Sequence, residues 1–129
     1  MQNPATPFYD EANSVTCQTS AAVTGKRFVA VSGSGVFDDP TIVAHASGAA
    51  DQTVHGVTAY DAPTGAMVTV YTSPAITMPV EAGVALVAGQ NVQSDAQGRA
   101  IPLAAGTKAG VALKDAAAGA EAKIKLTLS

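Results

Sequence analysis

The sequence predicts an all-β chain. It reads as a small barrel, a β-tulip-like domain or a sandwich, built of two related halves and preceded by an extended N-terminal arm. Three observations predict it. Short alternating or β-branched segments recur along the chain with turn residues between them. A GV…D…G unit occurs twice at constant spacing. No window carries the apolar period of an amphipathic helix.

The repeat decides the most ambiguous stretch. Residues 110–129, GVALKDAAAGAEAKIKLTLS, hold an alanine run that by propensity alone is helical. Laid over GVTAYDAPTGAMVTVYT from Gly56, they place Gly56 on Gly110, Asp61 on Asp115 and Gly65 on Gly119. The first copy has Pro63 where the second has Ala117. Proline costs about 3 kcal/mol inside a helix and sits well inside a turn. The first copy is therefore strand, turn, strand, and the second is expected to match it. Asp61 and Asp115 start the turns as caps of their own backbone, and Gly65 and Gly119 complete them. A short helical turn around 115–119 stays open as the alternative. Beyond each turn the pattern alternates. In 120–128 the even positions are apolar and the odd ones polar, as in a strand with one wet face.

Strands are expected at about 14–19, 26–32, 41–45, 53–60, 66–72, 75–80, 84–88, 91–94, 107–113 and 120–128. Turn residues separate them, among them Asp38-Asp39-Pro40, Ala88-Gly89 and Asp95-Ala96-Gln97-Gly98. The likeness of the halves reaches back, loosely, from the GV units to Phe28–Gly33 and Asn91–Asp95. Residues 1–13 stand apart, since Pro4 and Pro7 favour an extended path. Phe8 and Tyr9 are two of only six aromatic residues in the chain. We read 1–13 as an arm that docks its aromatics on a partner, with Pro7, Phe8, Tyr9 and Val15 as contact residues. Residues 14–129 are read as one β-rich domain. Residues 1–18 could add a strand to a neighbour's sheet edge.

Composition excludes several function classes. The chain has 129 residues, 13% of them charged, and a net charge of −3. Without a basic cluster, a nucleic-acid surface is not expected, and Lys26-Arg27 is read as a solvated strand edge. Cys17 is the one cysteine, so no internal disulfide is possible, and it is read as a half-buried structural thiol. The first residues lack the basic start and apolar run of a signal peptide, and no stretch has the length to span a membrane. His45 and His55 lack a third ligand at recognisable spacing and are read as sheet-surface residues. Asp38-Asp39 lacks EF-hand spacing. Ser32-Gly33-Ser34-Gly35 lacks the context of a nucleophile elbow, and Gly25-Lys26-Arg27 is not a Walker A motif. No catalytic residue, cofactor, metal or small-molecule substrate is expected.

A resemblance adds to this reading. The run Tyr9-Asp10-Glu11-Ala12-Asn13-Ser14-Val15-Thr16, then Ala21-Ala22-Val23-Thr24-Gly25 with Phe28-Val29-Ala30-Val31, resembles the start of the small capsid decoration (cement) proteins of tailed bacteriophages. Gly110-Val111-Ala112-Leu113 and Asp115-Ala116-Ala117-Ala118-Gly119 resemble their end. The resemblance implies a β-rich protein, made in the host cytoplasm, that binds the major capsid protein on the outside of the mature head. It implies homotrimers at three-fold positions that reinforce the shell. The alternatives are a tail-tube or head-fibre component, which would assemble without a capsid, and a small β-barrel enzyme or binding module, for which the sequence offers no convergent polar set.

Overall fold

The computed structural model describes residues 14–32 and 41–127. Every regular element among them is a strand: β1 (Ser14–Thr19), β2 (Phe28–Val31), β3 (Thr41–His45), β4 (Gly56–Thr58), β5 (Met67–Tyr71), β6 (Thr77–Glu81), β7 (Asn91–Ser94), β8 (Ala100–Pro102), β9 (Gly110–Ala112) and β10 (Glu121–Leu126). The first five close a barrel in the order β1-β3-β2-β4-β5, and β5 returns to β1. The last five form a sheet in the order β6-β10-β9-β7-β8.

The two halves repeat each other strand for strand. Phe28 and Val29 of β2 lie opposite Val57 and Gly56 of β4, just as Asn91 and Val92 of β7 lie opposite Val111 and Gly110 of β9. Gln18 faces Met67 across β1 and β5, as Glu81 faces Glu121 across β6 and β10. The isolated bridge Val23–Ala62 recurs as Leu86–Ala116. The glycines of the two GV units have one physical cause. A Cβ on Gly56 would collide with the backbone oxygen of Tyr71, and one on Gly110 would lie 2.6 Å from the carbonyl oxygen of Lys125. At both places the strand passes too close to its neighbour for any side chain.

The halves differ in how they close. In the first, β1 and β3 pair in parallel from Cys17–Thr41 to Thr19–Val43. In the second, the corresponding seam keeps one bridge, Ala82–Ala100, with Gly83 N–H donating to Ala100 O at 2.8 Å. The cause is the connection. Asp95 Oδ1 accepts from Gln97 N and Arg99 N, and Gly98 turns at a φ of 79°, so residues 95–99 form a tight reversal and β8 starts late. The first half seals the gap. Glu81 N–H donates to Lys26 O at 2.9 Å, and Phe28 N–H donates to Gly98 O at 2.7 Å. The segment 26–28 thus fills the opening with two backbone hydrogen bonds, Lys26 turning at a φ of 61° just before β2. The two end strands of this sheet each carry a proline, Pro79 in β6 and Pro102 in β8. A missing N–H there blunts an edge that would otherwise template pairing.

One core lies inside the first barrel, from Cys17, Val23, Val29, Val43, Val68 and Val70. The other begins with Phe28 and Val57 of the first half and continues through Val80, Leu86, Val92, Ile124 and Leu126 of the second. Strand β2 serves both, since successive residues point to opposite faces. Burying Phe28 completely is worth roughly 1.5–3 kcal/mol. In β10, Ala122, Ile124 and Leu126 are buried and Glu121, Lys123 and Lys125 exposed, as its alternation predicts.

The architecture is all-β, and its first half is a closed barrel. The expected strand 84–88 does not form; Leu86 makes one bridge there and the rest is loop. Strand β8 was not foreseen. Residues 115–119 form no helical turn, since Ala116 bridges to Leu86 and the reversal falls at 118–119.

Candidate functional site

The repeated aspartates and glycines hold the framework together. Asp61 Oδ1 accepts from Gly25 N–H at 2.8 Å, and Asp115 Oδ1 from Ala88 N–H at 2.9 Å. Each carboxylate thus ties down the neighbouring segment rather than capping its own turn, which corrects the sequence-based expectation. Gly65 and Gly119 both stand at a φ of 80° and donate to Thr19 O and Ala82 O respectively. Ala66 N–H to Pro63 O and Ala120 N–H to Ala117 O close the same turn in each copy.

Lys26 and Arg27 form the joint between the halves. Lys26 stays solvated, its side chain 55% exposed, while Arg27 departs from the expected wet edge. Arg27 Nη2 meets Glu81 Oε2 at 3.1 Å, and Nη1 donates to Gln97 O at 3.0 Å. Its side chain is largely buried, at 15% exposure. Lys26 Nζ meets Glu121 Oε1 at 2.7 Å, which raises the Lys26 pKa. An open cleft beside the joint brings Thr24, Lys26, Ala59 and Asp61 together with Glu81.

The titratable residues do not converge. Among the described residues no group of three or more His, Cys, Asp or Glu is placed to hold a metal. His45 Nε2 accepts from Thr24 N–H at 2.9 Å, a bond only the neutral nitrogen can accept. Burial, and then the nearby Arg27 charge, lower its pKa. His55 is lowered by burial, and its Nε2 is enclosed without a hydrogen-bond partner among the described residues. It lines an open cleft with Val31, Val54, Thr72 and Pro74. Cys17 is fully buried in the first barrel.

Pro7, Phe8 and Tyr9 lie outside the described residues, as do Asp38 and Asp39. Val15 does not belong to an arm. It pairs with Val70 within the chain's own barrel and packs against that core. Strand addition is corrected for 14–18, which are spent as β1, while the rest of that segment, 1–13, lies outside the described residues. Sequence reasoning missed the exposed large apolar residues Val31, Tyr60, Met67, Val84, Val87, Leu103 and Leu113. Met67 and Leu113 fall at strand and turn ends, where alternation does not tell inside from outside.

Fold and surface together define a duplicated β scaffold whose distinctive exposed features are apolar residues on strand ends and loops. The comparisons agree with that class. The chain belongs to the phage cement protein family, whose model matches residues 9–128. It is a family of head-associated structural proteins, and the resemblance drawn from the sequence is to this family. Among solved structures, the chain is similar to the N base of the head fibre protein gp8.5 of bacteriophage phi29. The TM-score is 0.69 at 25% identity, over 88% of this chain and 92% of that one. No curated protein sequence matches.

Proposed function

We propose that this protein binds the outer surface of the mature phage head, contacts the major capsid protein, and stabilises the shell as a homotrimer without turning over any substrate. The observation that carries this reading is the cement-family match over nearly the whole chain. A binding scaffold needs a stiff body and complementary faces, and the shared core and sealed seam supply the stiffness. In this reading residues 14–129 are the body and residues 1–13 the arm, with Phe8 and Tyr9 as its anchors. Large aromatics suit that role, since a few such residues dominate interface energetics.

Co-sedimentation with mature, undecorated capsids of its own phage tests the proposal. Binding should saturate at a fixed ratio to the capsid subunit. Deleting residues 1–13 should leave the fold intact and raise the half-saturating concentration about tenfold or more. No binding at any concentration sinks the reading, and unchanged binding after the deletion sinks the arm. A second reading, a head-fibre base, is favoured by the likeness to the phi29 protein. It predicts fibre-like projections on decorated capsids in electron micrographs.

A further inference from the structure

The joint between the halves joins unlike faces. The first half presents Thr24–Lys26 and Ala59–Asp61, and the second presents the adjoining ends of β6 and β10 at Glu81 and Glu121. Because the chain is duplicated, each half carries both kinds of face, and the joint uses one of each. The strand registers identify the unused ones. Thr24, Lys26 and Ala59 correspond to Val87, Gly89 and Leu113 in the second half, and Glu121 corresponds to Met67 in the first.

The chemistry of the two sets is opposite. Apart from Tyr60, the used joint carries small or polar residues and two ion pairs. At the unused positions Val87 is 61% exposed, Leu113 43% and Met67 51%. Tyr60, also exposed, reaches from the joint cleft to the outer face of β5, its hydroxyl 3.5 Å from Thr69 Oγ1, two residues along the strand from Met67. Apolar side chains in water at both unused faces cost free energy that contact between them recovers.

We propose that a second copy of this chain docks head to tail, seating the Val87–Leu113 face of one copy on the Met67–Tyr60 face of the next. The inference deepens the proposed function, on which it rests, by naming the surface through which the decoration protein assembles. The backbone insertion of the internal joint is not repeated, because Cys17 and Gln18 already pair with Thr41 and Ile42 where the slot would be. The contact between copies is therefore made by side chains. A contact of unlike faces makes a ring when its rotation closes.

Two single variants test it, Met67→Cys and Leu113→Cys, with the native Cys17 left buried. Oxidising an equimolar mixture, in solution and on saturated capsids, should give a mixed disulfide dimer, while each variant alone stays uncrosslinked. Leu113→Glu should abolish association, and adding Met67→Lys should restore it. Two results overturn the proposal: no crosslink in either setting, or Leu113→Cys alone crosslinking as well as the mixture, which would mean like faces meet. Saturable capsid binding without the 67–113 crosslink sinks this joint and spares the function. The crosslink without capsid binding does the reverse.

Discussion

At Gly65 and Gly119 the backbone stands at a φ of 80°, and a Cβ built on either meets no atom within 4 Å. Alanine there strains the backbone and touches nothing. Each substitution should cost about 1 kcal/mol, the two by equal amounts, because an L-residue pays that much in the left-handed region. Denaturant midpoints at unchanged m-value would measure it, and unequal costs would show that the copies are not physically equivalent. Gly56 and Gly110 offer the contrast. Their Cβ positions run into backbone, which cannot move aside. The sequence marks all four glycines by repetition, yet only the strand crossings say which two are forbidden ground.

At the scale of elements, segment 26–28 has the most to explain. It ends one barrel's approach to β2 and fills the seam of the other sheet. Arg27 holds it there against Glu81 and the carbonyl of Gln97. Arg27→Ala should cost about 2–4 kcal/mol, since it leaves the Glu81 carboxylate without its partner in a partly buried joint. Urea unfolding followed by amide exchange checks this. Protection should fall first at Glu81 and Phe28, whose N–H groups bond across the seam. A uniform loss across both halves would instead mean that the joint and the cores unfold as one unit. Lys26-Arg27 read as a wet edge because two adjacent cations usually are. For Arg27 a partner more than fifty residues away overrode that local signal, while Lys26 keeps its exposure.

The whole molecule carries a pH dependence. His45 and His55 both have folded pKa values below the ordinary 6.5, chiefly from burial. The unfolded chain therefore binds protons that the folded chain refuses. Above pH 6.5 both states hold the imidazoles neutral and no stability is lost. As pH falls below 6.5 the unfolded state is favoured progressively, until the folded imidazoles themselves take up protons. The melting temperature should drop between pH 7 and pH 5, and less steeply in His55→Gln. A flat profile across that range would show that neither ring is kept from protonating. The shared core makes the loss global, because Phe28 and Val57 belong to the same cluster as Leu86 and Ile124.

The all-β class, the duplication and the turn at 115–119 were legible because their signals are local. Proline and glycine set φ, aspartate sets turns, and alternation sets the wet face of β10. The short middle of each half was less legible. Ala100–Pro102 is too brief to show a period, and Leu86 needs its partner Ala116 to become a bridge. Residue order alone determined that this chain is two copies of one β unit. Tertiary structure decided that the first copy closes on itself while the second is sealed by the first. The length of the connection between β7 and β8 removes the residues that would have closed the second barrel, and hydrogen-bonding groups left open at a buried seam take the nearest strand that fits.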